Sequence, residues 1–245
     1  MPMKKLHDAD IREPLFEFLE EEYGKVRIIE EKTMGKSRAD VVMVTEQALY
    51  GIEIKSDADT YARLGSQVKD YDKYYDFNYA VVGTSHAQHI REHLPEYWGV
   101  ITVEEVEGAL DFYILRRPQQ NPKHKIERKL EILWRPELAM LQEWNRMPKY
   151  KEKGKAFVIK KLVEQVPGKI DLQRLNAQIS EILFERDYTL VAETLKEYRK
   201  GELQKKLEQE DDPTKRLEIM TQQAELGRRI SQNGLRKKRR RRRRI

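Results

Sequence analysis

"RADVVMVTEQALYGIEIKSD", residues 38–57, decides how the rest of the chain is read. Two apolar runs, 39–44 and 49–55, are joined by the polar "TEQA", which predicts a strand, a short connection and a second strand. Side chains alternate along a strand, so Ile52 and Ile54 face one way while Glu53 and Lys55 face the other. A hairpin with a good apolar pattern thus carries two opposite charges on one face. Asp40 opens the preceding strand, 13 residues (53 − 40) before Glu53, and pairing of the two strands brings both carboxylates to the end where the chain leaves Lys55.

Two carboxylates and a nearby backbone carbonyl, that of Ile54, make an oxygen site of the kind that holds a hard cation such as Mg²⁺ or Mn²⁺. Beside such an ion Lys55 would position or activate an attacking water, or offset charge that builds on a phosphate. This chemistry suits phosphodiester hydrolysis, because without the cation two carboxylates would repel the anionic substrate. The bland alternative is an exposed Glu53–Lys55 pair, worth at most about 1 kcal/mol.

The flanks set the context. "DADIREPLFEFLEEEYG" places Ile11, Leu15, Phe18 and Leu19 on one helical stripe, with Asp8 or Asp10 as caps and Gly24 as a stop. "KVRIIEE" reads as a strand and "TMGKSR" as a turn. After Lys55 the period becomes helical: Leu64, Val68, Tyr71 and Tyr75 form the packing side, and Arg63, Gln67 and Asp70 an adjoining one. Ser56 and Asp57 read as a helix cap. A strand "YAVVGT", a helix over "HAQHIREHLPEY" and a strand "WGVITV" follow. Continuous apolar strands of this kind imply burial on both faces, hence an α/β fold with a mixed central sheet flanked by helices.

Composition bounds the remainder. The chain has 245 residues, 37% of them charged, with 48 Lys+Arg against 42 Asp+Glu. Nine of the basic residues form "RKKRRRRRR" at 236–244; without them 39 face 42, and the formal charge falls from +6 to −3. The basic character therefore describes a tail, beginning Arg236, Lys237, Lys238, Arg239, Arg240, that would bind polyanions by charge alone and could not fold by itself. With no cysteine, thiolate metal sites, thiol nucleophiles and disulfide frameworks are excluded. No apolar run approaches the roughly 18 residues of a membrane span, and the first residues lack a secretion-signal core; a soluble, cytoplasmic protein with no membrane partner is expected. The prolines and glutamines of "RRPQQNPKHK" mark a linker at 116–125 between a core, 1–115, and a small helical domain, 126–192. Residues 193–233 read as a charged helix and 234–245 as a disordered tail. His86, His89 and His93 are expected to be structural or solvent-facing, and Trp98, Trp134 and Trp144 to lie in the core.

Asp40 followed by Glu53, Ile54 and Lys55 resembles the motif of the PD-(D/E)XK nuclease superfamily, the restriction-endonuclease-like fold, with Ala39 standing where the motif has proline. The likeness covers about residues 8–105 and is strongest to small prokaryotic members of unassigned biological role, through "RAD", "EIKSD", "DT" and "RL". It implies a Mg²⁺- or Mn²⁺-dependent deoxyribonuclease acting on DNA in repair, defence or phage DNA processing. Asp40 and Glu53, with Ile54, would hold the metal; Lys55 would serve the water, Gln67 would support the site, and Arg63 or Arg38 would meet phosphate. An upstream acid often joins such a site, and Glu13, Asp10 and Glu31 are the candidates here. The rival from another class is a nuclease-fold module that binds nucleic acid without cutting it, using the tail. A homodimer would form through the core or through the charged C-terminal helix.

Overall fold

The computed structural model describes residues 6–57, 59–87, 89–150, 152–186, 204, 207–208, 210, 212 and 215–221. The elements expected between residues 8 and 83 are present, with boundaries set by local chemistry. Helix α1 (Asp8–Tyr23) is capped by His7, whose N–H is met 3.1 Å away by the Asp10 carboxylate at the third helical position. Asp10 therefore satisfies the helix start from within it, and neither Asp8 nor Asp10 is the cap residue itself. Gly24 ends α1 at φ 73°, its N–H bonded to Glu20 O, a conformation that favours glycine.

Three antiparallel strands follow: β1 (Arg27–Met34), β2 (Ser37–Val44) and β3 (Leu49–Lys55). A 3₁₀ turn (Tyr61–Arg63) leads into α2 (Leu64–Tyr74), and β4 (Phe77–Gly83) then runs parallel to β3. Ser56 forms a local turn, its backbone N–H and hydroxyl both donating to Asp59 Oδ2, while Asp57 Oδ2 accepts the Leu6 N–H at 3.4 Å, just ahead of α1. The helix expected over 86–97 is two single turns, α3 (Thr84–Ala87) and α4 (Ile90–His93). Strand β5 (Gly99–Val106) is parallel to β4, and a sixth strand, β6 (Ala109–Arg116), which the sequence reading did not separate, pairs antiparallel with β5 at the sheet edge. The sheet is mixed and runs in chain order, β1 to β6.

Each face of the sheet has its own core. On one, Ile11, Leu15 and Leu19 of α1 pack on Val41, Met43, Ile52, Ile54, Tyr79, Val81 and Ile101. On the other, Val42, Val44, Ala80, Val82 and Val100 meet Leu64, Val68 and Tyr71 of α2. The same apolar cluster continues into α5 (Ile126–Leu130), α6 (Arg135–Trp144), α7 (Lys155–Val163) and α8 (Leu172–Glu185). Residues as far as Glu185 form one compact unit, so the proline-rich segment is a surface connection inside that unit. It is tied down: Asn121 Nδ2 donates to Asp72 O and Tyr75 O, both at 2.8 Å, closing the last turn of α2. The long pattern at 126–144 breaks before Pro136 because proline sits at a helix start and disfavours helix in the residue ahead of it.

Residues 186–245 form a second unit, in which 215–221 are helical. The basic run at 236–240 and most of the charged helix at 193–233 lie outside the described residues. Among the described residues no helix is long and apolar enough to cross a membrane.

Candidate functional site

The site is built where β2 leaves β3. Their pairing ends at Val41–Ile52, so the backbone of Asp40 has no strand partner on that side. In the β1–β2 ladder the next pair, Glu31 with Asp40, is also missing, and Glu31 has a φ of 53°. Here β2 turns over: Ala39 belongs to the α2-side core and Val41 to the α1-side core, two residues apart, which simple alternation forbids. Two side chains from opposite layers take up Asp40: its N–H donates to Tyr71 Oη at 3.2 Å, and its carbonyl accepts from Arg12 Nη1 at 3.0 Å. The Asp40 carboxylate reaches across to β3, where Oδ2 accepts the Ile54 N–H at 2.9 Å.

Glu53 and Lys55 point to the α2 side, as the alternation requires, but they are not an exposed pair: Glu53 is 1% and Lys55 4% exposed. Lys55 Nζ lies 2.5 Å from Glu53 Oε1 and 3.1 Å from Gln67 Oε1. Gln67 Nε2 donates to the same Glu53 oxygen, and Tyr71 Oη donates to Glu53 Oε2 at 2.7 Å. Gln67 and Tyr71 stand four apart on α2 and so share one face. A carboxylate offers about four acceptor positions. Lys55, Gln67 and Tyr71 fill three at Glu53, leaving one on Oε2. The ammonium of Lys55 has spent two of its three protons and keeps one for a further acceptor.

Burial, then the negative charge of Glu53, pushes the Asp40 carboxyl up to about 7, against the pull of the Ile54 N–H. Since that value lies above the ordinary 3.8, ionisation of Asp40 opposes folding: in the absence of a cation, stability falls as pH rises from about 4 through 7. Asp40→Asn, which keeps an oxygen for the Ile54 N–H, is expected to raise the melting temperature at pH 8 by several degrees and to change it little at pH 4. Thermal unfolding at the two pH values reads this directly; a variant less stable at pH 8 would contradict it.

Among the described residues no group of three or more His, Asp or Glu side chains converges as a ready metal cluster. The oxygens nevertheless suit a hard cation: among the described residues Asp40 Oδ1 takes part in no hydrogen bond, with Arg12 Nη2 standing 3.7 Å away, and Glu53 Oε2 keeps one free position. Ile54, expected to lend its carbonyl, lies in the parallel ladder opposite Val81.

Glu13 is exposed on α1, Asp10 is engaged at the helix start, and Glu31 is exposed and pairs with Arg38 at 3.4 Å. Arg12 gathers two other upstream acids, with Nε 2.7 Å from Asp8 Oδ2 and Nη1 3.8 Å from Glu30 Oε2, and the charge of Asp8 also bears on Asp40. Arg63 is exposed in the 3₁₀ turn ahead of α2, a different element from Gln67. His86 is bound through Nδ1 to Tyr61 Oη at 2.9 Å, and Trp98 is fully buried with its N–H on Asp72. Arg12 and Tyr71 are the participants that sequence reasoning missed. Asp8 and Arg12, four apart on α1, were the available signal for the first; Tyr71 was assigned to packing, which it also does.

The family model of bacteriophage P4 protein cII matches residues 1–211. The chain belongs to that family. The match runs through both α1 and α8, so the whole first unit belongs to the cII family pattern. No curated protein and no solved structure matches the chain.

Proposed function

We propose that this cII-family chain is a metal-dependent DNA nuclease of the PD-(D/E)XK kind, hydrolysing phosphodiester bonds in phage DNA processing, defence or repair. The observation that carries the reading is the single buried network of Glu53, Lys55, Gln67 and Tyr71 with Asp40 beside it, at the end of β3. The order of α1, three antiparallel strands, α2 and a parallel β4 supports it. So does the cost of the arrangement, because a carboxyl pushed up to about 7 beside a second acid is a poor choice for stability alone.

Asp40 and Glu53 would hold Mg²⁺ or Mn²⁺, which supplies Lewis acidity toward the phosphate and a more acidic bound water. Lys55, aimed by Glu53 and Gln67, directs its remaining proton at the attacking water or at a phosphoryl oxygen. Gln67 fixes both charged groups at once through its amide, and Tyr71 fixes Glu53 and Asp40 from below.

The test is cleavage of supercoiled plasmid and of labelled single- and double-stranded DNA with Mg²⁺, Mn²⁺ or EDTA, comparing the wild type with Asp40→Ala. Cutting that needs the metal and falls by roughly a thousandfold in the variant is expected. Binding of every substrate with no cutting of any would replace this reading with the non-catalytic nucleic-acid-binding module.

A further inference from the structure

Asp40 lies just past the end of the β2–β3 ladder and has no pair in the β1–β2 ladder either, so something must hold it where the strands part. A backbone carbonyl that loses its ladder donor needs another. Arg12 supplies it, and does so from a strongly constrained position. The side chain is 14% exposed; Nε is bound to Asp8 one turn earlier on α1, and Nη1 reaches Asp40 O at 3.0 Å while facing Glu30. The third nitrogen, Nη2, stops 3.7 Å from Asp40 Oδ1. That separation is too long for a hydrogen bond, so the guanidinium brings positive charge to the carboxylate without occupying the oxygen that a cation would use. With its carbonyl pinned by Arg12 and its N–H by Tyr71, Asp40 can extend Oδ2 to the Ile54 N–H.

We propose that Arg12 is a positioning residue of this site: it substitutes for the missing ladder donor at Asp40 and thereby sets how well the acid pair binds a divalent cation. The cation half of the proposal rests on the nuclease reading; the positioning half does not. Lysine cannot replace arginine here, because a single ammonium cannot reach Asp8 and the Asp40 carbonyl together as the planar fork does.

The experiment compares wild type, Arg12→Gln and Arg12→Lys in two measurements on the full chain. The first is amide hydrogen exchange without metal. Ile54, held by the Asp40 side chain, should exchange about tenfold faster or more in both variants, whereas Val42 and Ile52 in the paired ladder should keep wild-type rates. The second is calorimetric titration with Mn²⁺ in the absence of DNA, in which Arg12→Gln should bind about 10- to 100-fold more weakly. Unchanged Ile54 exchange overturns the proposal, and so does acceleration of all three amides alike, which would make Arg12 a general structural residue. Faster Ile54 exchange with unchanged Mn²⁺ affinity overturns its role toward the cation. If wild type binds no Mn²⁺ while Ile54 still responds, the positioning role stands and the nuclease reading falls.

Discussion

Asp76→Ala is expected to destabilise the chain by about 3–5 kcal/mol. Asp76 stands just past the end of α2, where Oδ2 accepts Lys129 Nζ at 2.6 Å and the Leu49 N–H, the first of β3, at 2.7 Å. Lys129 is fully buried, and its other bond is to Asn176 on α8. Burial lowers the Lys129 ammonium below its ordinary range, and Asp76 opposes that shift. Removing the anion strands a cation in the core and orphans a strand donor together. Against a total stability of roughly 5–15 kcal/mol this approaches unfolding. The double variant Asp76→Ala with Lys129→Met should recover most of the loss, since replacing both members of a buried pair is far milder than breaking it. Urea unfolding midpoints decide the matter: a loss of less than about 1 kcal/mol in Asp76→Ala would mean that the pair does not hold the sheet to the helices.

Lys55→Met is expected to abolish cleavage, by about a thousandfold or more, and also to lower stability, because Glu53 at 1% exposure would lose its closest charge. The two effects separate in Glu53→Gln with Lys55→Met. Removing both charges should return the unfolding midpoint toward wild type while leaving cleavage absent. A double variant that regains cleavage would show that neither residue serves the chemistry. If Lys55→Met keeps both its midpoint and its cutting, the buried pair is idle and the proposed role of Lys55 fails.

Much of this was legible in the order of residues, and the reasons differ from place to place. The faces of β3 could be read because strand alternation depends on nothing distant: Ile52 and Ile54 had to oppose Glu53 and Lys55. That Asp40 sits beside them followed from hairpin pairing. How it sits did not, because the turnover of β2 depends on Glu31 in the neighbouring strand adopting a left-handed backbone. Glu31 drew notice as an acid, but its backbone is what shapes the site. Arg12 was hidden in a helix whose apolar stripe accounted for it as a polar face. Strand β6 was missed because "ALDFYILR", with its alternating burial, follows a two-residue turn at Glu107 and Gly108, both at positive φ, with little composition change to mark it. The segment at 116–125 shows the limit of compositional reading: prolines and glutamines announce a loop, but only packing says whether the chain beyond it returns to the same core. Here it does, through Asn121 and Lys129.

That return bears on how the protein is made. Synthesis delivers the three antiparallel strands and α2 long before Asn121, Lys129 and α8 leave the ribosome. Until then the final turn of α2 lacks the amide that closes it, Asp76 has no lysine, and the apolar cluster on that face has α2 but not α5 to α8 as its cover. The nascent chain therefore carries every residue of the proposed active site some time before Asn121 arrives to anchor the end of α2, the helix that bears Gln67 and Tyr71.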